Sequence, residues 1–167
     1  SMANNRNGFD HVPAMAVTPR PSSHRRRSMG PPPRYRTARV VLVASRFNGG
    51  VTEALVEGAS TTLLRHGVAR ANLQTLWVPG AFELPAAAAS AARTLRPHAI
   101  VALGCLIKGQ TPQYAAIGHA VAEGLVQISV STGIPVTFGV ILAESAAQAR
   151  GRAGGPMGNR GSDAAVA

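Results

Sequence analysis

Val40-Val41-Leu42-Val43-Ala44 is a continuous apolar run of strand length, with no polar residue to mark a wet face. A strand can be apolar on both sides only if both faces of its sheet are covered, as in a parallel sheet held between layers of helices. The segments that follow fit that arrangement. Val51, Leu55, Ala59, Thr62, Leu63 and His66 recur at helical spacing, and Gly67 stands where a left-handed C-terminal cap is wanted. Leu73 to Val78 reads as a second strand broken by Pro79-Gly80, and an alanine-rich helix starts near Ala81 and runs to about Thr94, short of Pro97. Ala99 to Leu106 is a third buried strand. Pro112 can open a long helix whose apolar face is Ile117, Val121, Leu125 and Ile128, and Gly133 stops it. Pro135 to Leu142 makes a fourth strand, Ser145 caps a short helix to about Arg152, and Ser162-Asp163-Ala164-Ala165 begins another. The order is βαβαβαβαα. Right-handed crossovers then predict an α/β chain of three-layer α/β/α type, a flavodoxin-like parallel four-stranded sheet with helices on both faces.

A chain of 167 residues is long enough for one domain with a sizeable core. With aromatics at 4%, that core has to be built mainly from Ala, Val, Leu and Ile. The net charge of +10 is uneven: residues 1–39 hold eight arginines against Asp10, whereas residues 40–167 hold nine basic and six acidic groups. Residues 1–37 are rich in Pro, Ser, Arg, Asn and Gly without helical or strand period, and are expected to be a disordered tail. Its Arg25-Arg26-Arg27 is either a solvated charge run or a contact for an anionic partner such as nucleic acid. Residues 38–167 are expected to form the folded domain, its last helix truncated at Ala167. The lone Cys105 excludes an intrachain disulfide framework, and no segment is long and apolar enough to span a membrane, so the expected location is the cytoplasm.

In such a fold ligands sit beyond the carboxyl ends of the strands, here Ser45 to Asn48, Pro79 to Glu83, Lys108 to Gln113 and Ala143-Glu144. Gly109-Gln110-Thr111 brings a flexible backbone, amide donors and a hydroxyl to the start of a helix, as a phosphate cradle requires, with Lys108 and Arg152 to supply positive charge. Ala81, Phe82 and Glu83 offer helix-start amides and a carboxylate for hydrogen bonds. Cys105, inside an apolar strand, reads as a small buried hydrophobe rather than a nucleophile. The histidines lack metal-ligand spacing, and no dinucleotide or Walker glycine pattern follows the first strand.

Ala44-Ser45-Arg46-Phe47-Asn48, Val78-Pro79-Gly80-Ala81-Phe82-Glu83-Leu84-Pro85, Gly104 through Pro112, Phe138-Gly139-Val140 and Arg152-Ala153-Gly154 with Gly158-Asn159-Arg160-Gly161 together resemble the lumazine synthase family over residues 38–167. The resemblance implies condensation of 5-amino-6-ribitylamino-uracil with 3,4-dihydroxy-2-butanone 4-phosphate to 6,7-dimethyl-8-ribityllumazine, with loss of phosphate and without a cofactor. It implies that Phe47, Asn48, Ala81, Phe82, Glu83, Leu106 and Ile107 contact the pyrimidine and its ribityl chain, with Phe138 entering from a neighbouring subunit. Gly109, Gln110, Thr111 and Arg152 are the implied phosphate ligands, and Arg160 with Asp163 matches a lysine and its acidic partner. Gln113 stands where the family has the histidine expected to act as general acid and base, and glutamine does not titrate. Ala115 and Gly151 replace two further acidic positions. Self-association as a homopentamer is implied, and the short segment Gly154 to Asn159 predicts a sixty-subunit icosahedral shell. The alternative left open by Gln113 is a shell-forming paralogue of weak or no activity that binds a flavin-like ligand, or an anionic partner through its basic tail.

Overall fold

The computed structural model describes residues 35–167. The tail expected over residues 1–37 therefore lies largely outside the described residues. Tyr35–Thr37 form a turn in which Ala38 N donates to Tyr35 O (3.0 Å), and Asn72 Nδ2 donates to Arg36 O (2.9 Å).

Four strands, β1 (Val40–Ser45), β2 (Leu73–Val78), β3 (Ala99–Ile107) and β4 (Val136–Ala143), pair in the parallel order β2-β1-β3-β4. Between them run α1 (Gly49–Arg65), α2 (Leu84–Thr94) and α3 (Gln113–Thr132), followed by α4 (Ala146–Gly151) and α5 (Arg160–Val166). The three-layer, flavodoxin-like arrangement is the one expected. Among the described residues no helix is long and apolar enough to cross a membrane.

The strand period of two explains the unbroken apolar run in β1. Val40, Leu42 and Ala44 join Leu55, Ala59, Leu63, Ala149 and Ala164 on the face covered by α1, α4 and α5. Val41 and Val43 join Leu84, Ala88, Val121 and Leu125 on the face covered by α2 and α3. Consecutive residues thus feed two separate cores, and the first polar side chain of the strand, Ser45, comes only at its carboxyl end.

Three local details differ from the expected pattern. The segment at Ala81 begins as a 3₁₀ turn, Ala81–Glu83, and the α-helix starts only at Leu84. Pro85 has no N–H to return to the carbonyl of Ala81, so that carbonyl instead accepts from Leu84 N in the tighter turn. Two short strands, β5 (Ala153–Gly155) and β6 (Gly158–Asn159), form an antiparallel hairpin too short and glycine-rich to show a period. The last helix begins two residues earlier than expected, because Asn159 rather than Ser162 is its cap: Asn159 Oδ1 accepts from the amides of Gly161 (2.9 Å) and Ser162 (3.1 Å). The predicted terminators hold elsewhere. Gly67 and Gly133 have φ of 98° and 70°, and Ser145 Oγ accepts from Gln148 N (3.2 Å).

Candidate active site

The carboxyl ends of β1 and β3 open into a cleft of about 290 Å³ lined by Phe47, Leu106, Ile107, Gly109, Thr111, Gln113, Tyr114 and Ile117. Its position follows from topology, since neighbouring parallel strands deliver their following loops to the same edge. Phe47 is held by its backbone: Arg46 N donates to Val78 O (2.8 Å) and Phe47 N to Pro79 O (3.0 Å), continuing the β1–β2 ladder past Ser45. Its ring is left 67% exposed, an unfavourable place for a phenyl group unless something covers it. Phe82, at the end of β2, is similarly 63% exposed. Arg46 lies over the Trp77 ring at 5.4 Å from its centroid.

Asn48 adopts the left-handed conformation (φ 59°, ψ 43°) that begins α1, and its Nδ2 donates to Cys105 O at 2.9 Å. Its amide is thereby turned onto β3 and does not line the cleft. Ala81 is buried against the sheet beside Gly104, whose missing Cβ leaves space for Ser45 and Leu84: a Cβ there would meet Ser45 Oγ at 3.1 Å and Leu84 Cδ1 at 3.2 Å. Glu83 is exposed, and its Oε2 accepts from Gly80 N (2.8 Å), satisfying the amide at the start of the 3₁₀ turn.

The backbone amides of Gly109, Gln110 and Thr111 make no hydrogen bond among the described residues, so this loop presents free donors beside Thr111 at the entrance to α3. Gln113 is the first residue of α3 and exposed at the cleft. Lys108 does not lend a free charge to the loop as expected: its Nζ pairs with Glu144 Oε2 at 2.6 Å. Glu144 Oε1 also accepts from the Tyr114 hydroxyl (2.8 Å). The hydrogen bonds from Lys108 and then Tyr114 hold the Glu144 carboxyl below the usual carboxylate range. The same carboxylate raises Lys108 and Tyr114 above their ordinary values, chiefly through those hydrogen bonds.

Arg152 does not reach this cleft within the chain. It lines a second one of about 390 Å³ with Val140, Ile141, Leu142, Gln148, Met157 and Arg160. Phe138 is half-buried on β4, on the face packed by α2 and α3, and is likewise absent from the first cleft. Gln110 is exposed on the loop without lining it. Arg160 and Asp163 form no ion pair; among the described residues the ion pair is Lys108–Glu144. His66 and His98 lie at the amino-terminal end of the sheet, lining a cavity with Val40 and Ala99. Among the described residues no three His, Cys, Asp or Glu side chains gather where they could hold a metal ion.

Sequence reasoning overlooked Tyr114, Glu144 and Gln148. Glu144 stands in a segment that the strand-end rule marks, but its partners are 30 and 36 positions away and carry no motif linking them.

The family model for 6,7-dimethyl-8-ribityllumazine synthase matches residues 37–167. The 6,7-dimethyl-8-ribityllumazine synthase of Gemmatimonas aurantiaca is 47% identical over 135 residues, covering 81% of this chain and 82% of that protein. On fold, site position and sequence together, the chain belongs to the 6,7-dimethyl-8-ribityllumazine synthase family.

Proposed function

We propose that this protein condenses 5-amino-6-ribitylamino-uracil with 3,4-dihydroxy-2-butanone 4-phosphate to 6,7-dimethyl-8-ribityllumazine, releasing phosphate, in riboflavin biosynthesis. Family membership across residues 37–167 is the observation that carries the reading. The cleft supports it: an exposed Phe47 ring offers a flat face to the pyrimidine, and Leu106 and Ile107 supply apolar wall beside it. Phe82, Glu83 and the 3₁₀ turn they share with Ala81 are assigned the ribityl chain and uracil edge, and Asn48 a supporting role next to Phe47. Gly109, Gln110 and Thr111 are assigned the phosphate, whose oxygens match their unpaired amides and hydroxyl.

Arg152 and Phe138 lie away from this cleft in their own chain, so in this reading they serve the cleft of an adjoining copy. A homopentamer follows as the smallest active assembly, with a sixty-subunit shell as its closed form and the cytoplasm as its location. No cofactor is required: the amine and ketone lose water to an imine, phosphate leaves by elimination, and the second amine closes the ring on the remaining carbonyl with loss of a second water.

Gln113 cannot carry protons, so transfers fall to water or to the substrate's own phosphate. Holding both reactants in one cleft supplies the remaining acceleration. The test is lumazine fluorescence from the two substrates, corrected for the spontaneous reaction. Turnover above background supports the reading, and background rates across a full substrate titration sink it. Sedimentation of the same preparation reads the assembly: species smaller than a pentamer reject the shared site.

A further inference from the structure

The loop from Gly109 to Gln113 has a mechanical problem. Its first three amides are free of protein partners, and Gly109 is the most permissive residue for a backbone to pivot on, so its shape is fixed only from Pro112 and Gln113, where α3 begins. Both flanking residues, however, reach the same group. Lys108, just before the loop, bonds one oxygen of the Glu144 carboxylate at 2.6 Å, and Tyr114, just after it, bonds the other at 2.8 Å. Lys108 N also donates to Ala143 O (2.8 Å), which keeps the end of β3 against the end of β4. Glu144 is itself tied down: its N donates to Gln148 Oε1 (2.6 Å), and Gln148 N donates to the capping Ser145 Oγ (3.2 Å). The carboxylate is therefore referenced to the start of α4 rather than waving in solvent.

We propose that Glu144 is a positioning residue, whose single carboxylate clamps the two ends of the Gly109–Gln113 loop and so presets the loop's amides for the phosphate-bearing substrate. An exposed ion pair adds little to global stability, so the effect of this one is local. It narrows the set of shapes available to the free segment Gly109 to Thr111, which the end of β3 and the start of α3 otherwise anchor through the backbone alone. The consequence for substrate rests on the function proposed above; the clamp itself rests on geometry alone. Because both oxygens are used, each arm has its own variant: Lys108→Met removes the ion pair and leaves the phenol bond, whereas Tyr114→Phe does the reverse. Gln148 adds a link to the second cleft, which it lines with Arg152, so the clamp stands between the two half-sites of one chain.

Tryptic cleavage after Lys108 reads the clamp directly, because trypsin must take the lysine side chain that Glu144 holds. In Glu144→Ala, cleavage at Lys108-Gly109 should quicken by about tenfold while cleavage after Arg65 and Arg93 stays within about twofold of the unmodified protein. Glu144→Gln, whose single amide oxygen accepts at one of the two positions while its NH2 faces the other, should fall between the two. Tyr114→Phe should also quicken cleavage although its lysine remains paired, which separates loop freedom from mere release of the side chain. In turnover, Glu144→Ala should raise KM for 3,4-dihydroxy-2-butanone 4-phosphate by about tenfold and leave KM for the pyrimidine within about twofold. An unchanged cleavage rate after Lys108, or a parallel rise at Arg65 and Arg93, overturns the clamp. If the unmodified protein makes no lumazine, the proposed reaction falls, while the cleavage ratios still decide for or against the clamp.

Discussion

Asn48 Nδ2 donates to the carbonyl of Cys105 across 2.9 Å, joining the turn after β1, next to the exposed Phe47, to the carboxyl-terminal part of β3. The bond needs Asn48 in its left-handed conformation, which asparagine tolerates better than other residues with a Cβ. Asn48→Gly keeps the backbone and loses the bond, at a cost of about 1 kcal/mol. Asn48→Ala loses the bond and adds backbone strain, for about 2 kcal/mol in all. Urea unfolding of the two variants should rank them in that order; equal midpoints would show that the turn does not depend on the side chain.

Phe47 presents the opposite balance, because its ring is mostly in water before a ligand arrives. Phe47→Ala should therefore change the unfolding midpoint little, while losing about 1 kcal/mol of ring stacking, a rise of roughly fivefold in KM for the pyrimidine. A large fall in stability without a KM change would make the ring structural.

At Gln113 the cleft has an amide where proton transfer would gain from an imidazole. Gln113→His should raise kcat on the order of 10²-fold and introduce a limb in the pH–rate profile near the ordinary histidine pKa of about 6.5. The unmodified protein should lack that limb. Identical profiles would mean that the position does not carry protons even when it can.

The fold was legible because its strongest signals are local. β1 and β3 are unbroken apolar runs, and Gly67, Gly133 and Ser145 end or start helices by chemistry confined to a few residues. The cleft was legible in outline, since a parallel sheet delivers strand-end loops to one edge. Its membership was legible where a residue follows a strand directly, as for Phe47, Leu106, Ile107, Gly109, Thr111 and Gln113, and not beyond. Tyr114 and Glu144 meet only because β3 and β4 are neighbours, and Arg152, at the end of α4, faces a different cleft with Met157 and Arg160. The cap at Asn159 was missed for a related reason: Ser162 fits the same local pattern, and only docking against α1 decides between them.

That docking is tight. Asn159 Nδ2 donates to Ala54 O (2.9 Å) while its Oδ1 caps α5, and a Cβ on Gly161 would overlap the backbone of Leu55. Backbone in the middle of α1 cannot step aside as a side-chain end can. Gly161→Ala should then cost about 3 kcal/mol or detach α5, and Asn159→Ala about 1–2 kcal/mol for the lost cap and bond. Chemical denaturation measures both; a Gly161→Ala protein as stable as the parent would mean that α5 can shift outward without loss.

Cys105 lies 1% exposed in β3 against α1 and α5, and burial pushes its thiol up to about 11. At neutral pH the folded protein should therefore react with a thiol reagent such as DTNB at least about 10²-fold more slowly than the unfolded chain. The pH dependence has a definite sign. As pH rises through the ordinary thiol range, the unfolded chain releases its proton while the folded protein keeps it, so the unfolded state gains and stability falls until the folded thiol also titrates near 11. Below the ordinary range both states are protonated and the group contributes no slope. Cys105→Ala should remove this alkaline decline while lowering stability at neutral pH by about 1 kcal/mol for the lost sulfur packing. Urea midpoints at neutral pH and near pH 10 separate the two effects, and an unchanged alkaline slope in Cys105→Ala would assign the decline to other groups.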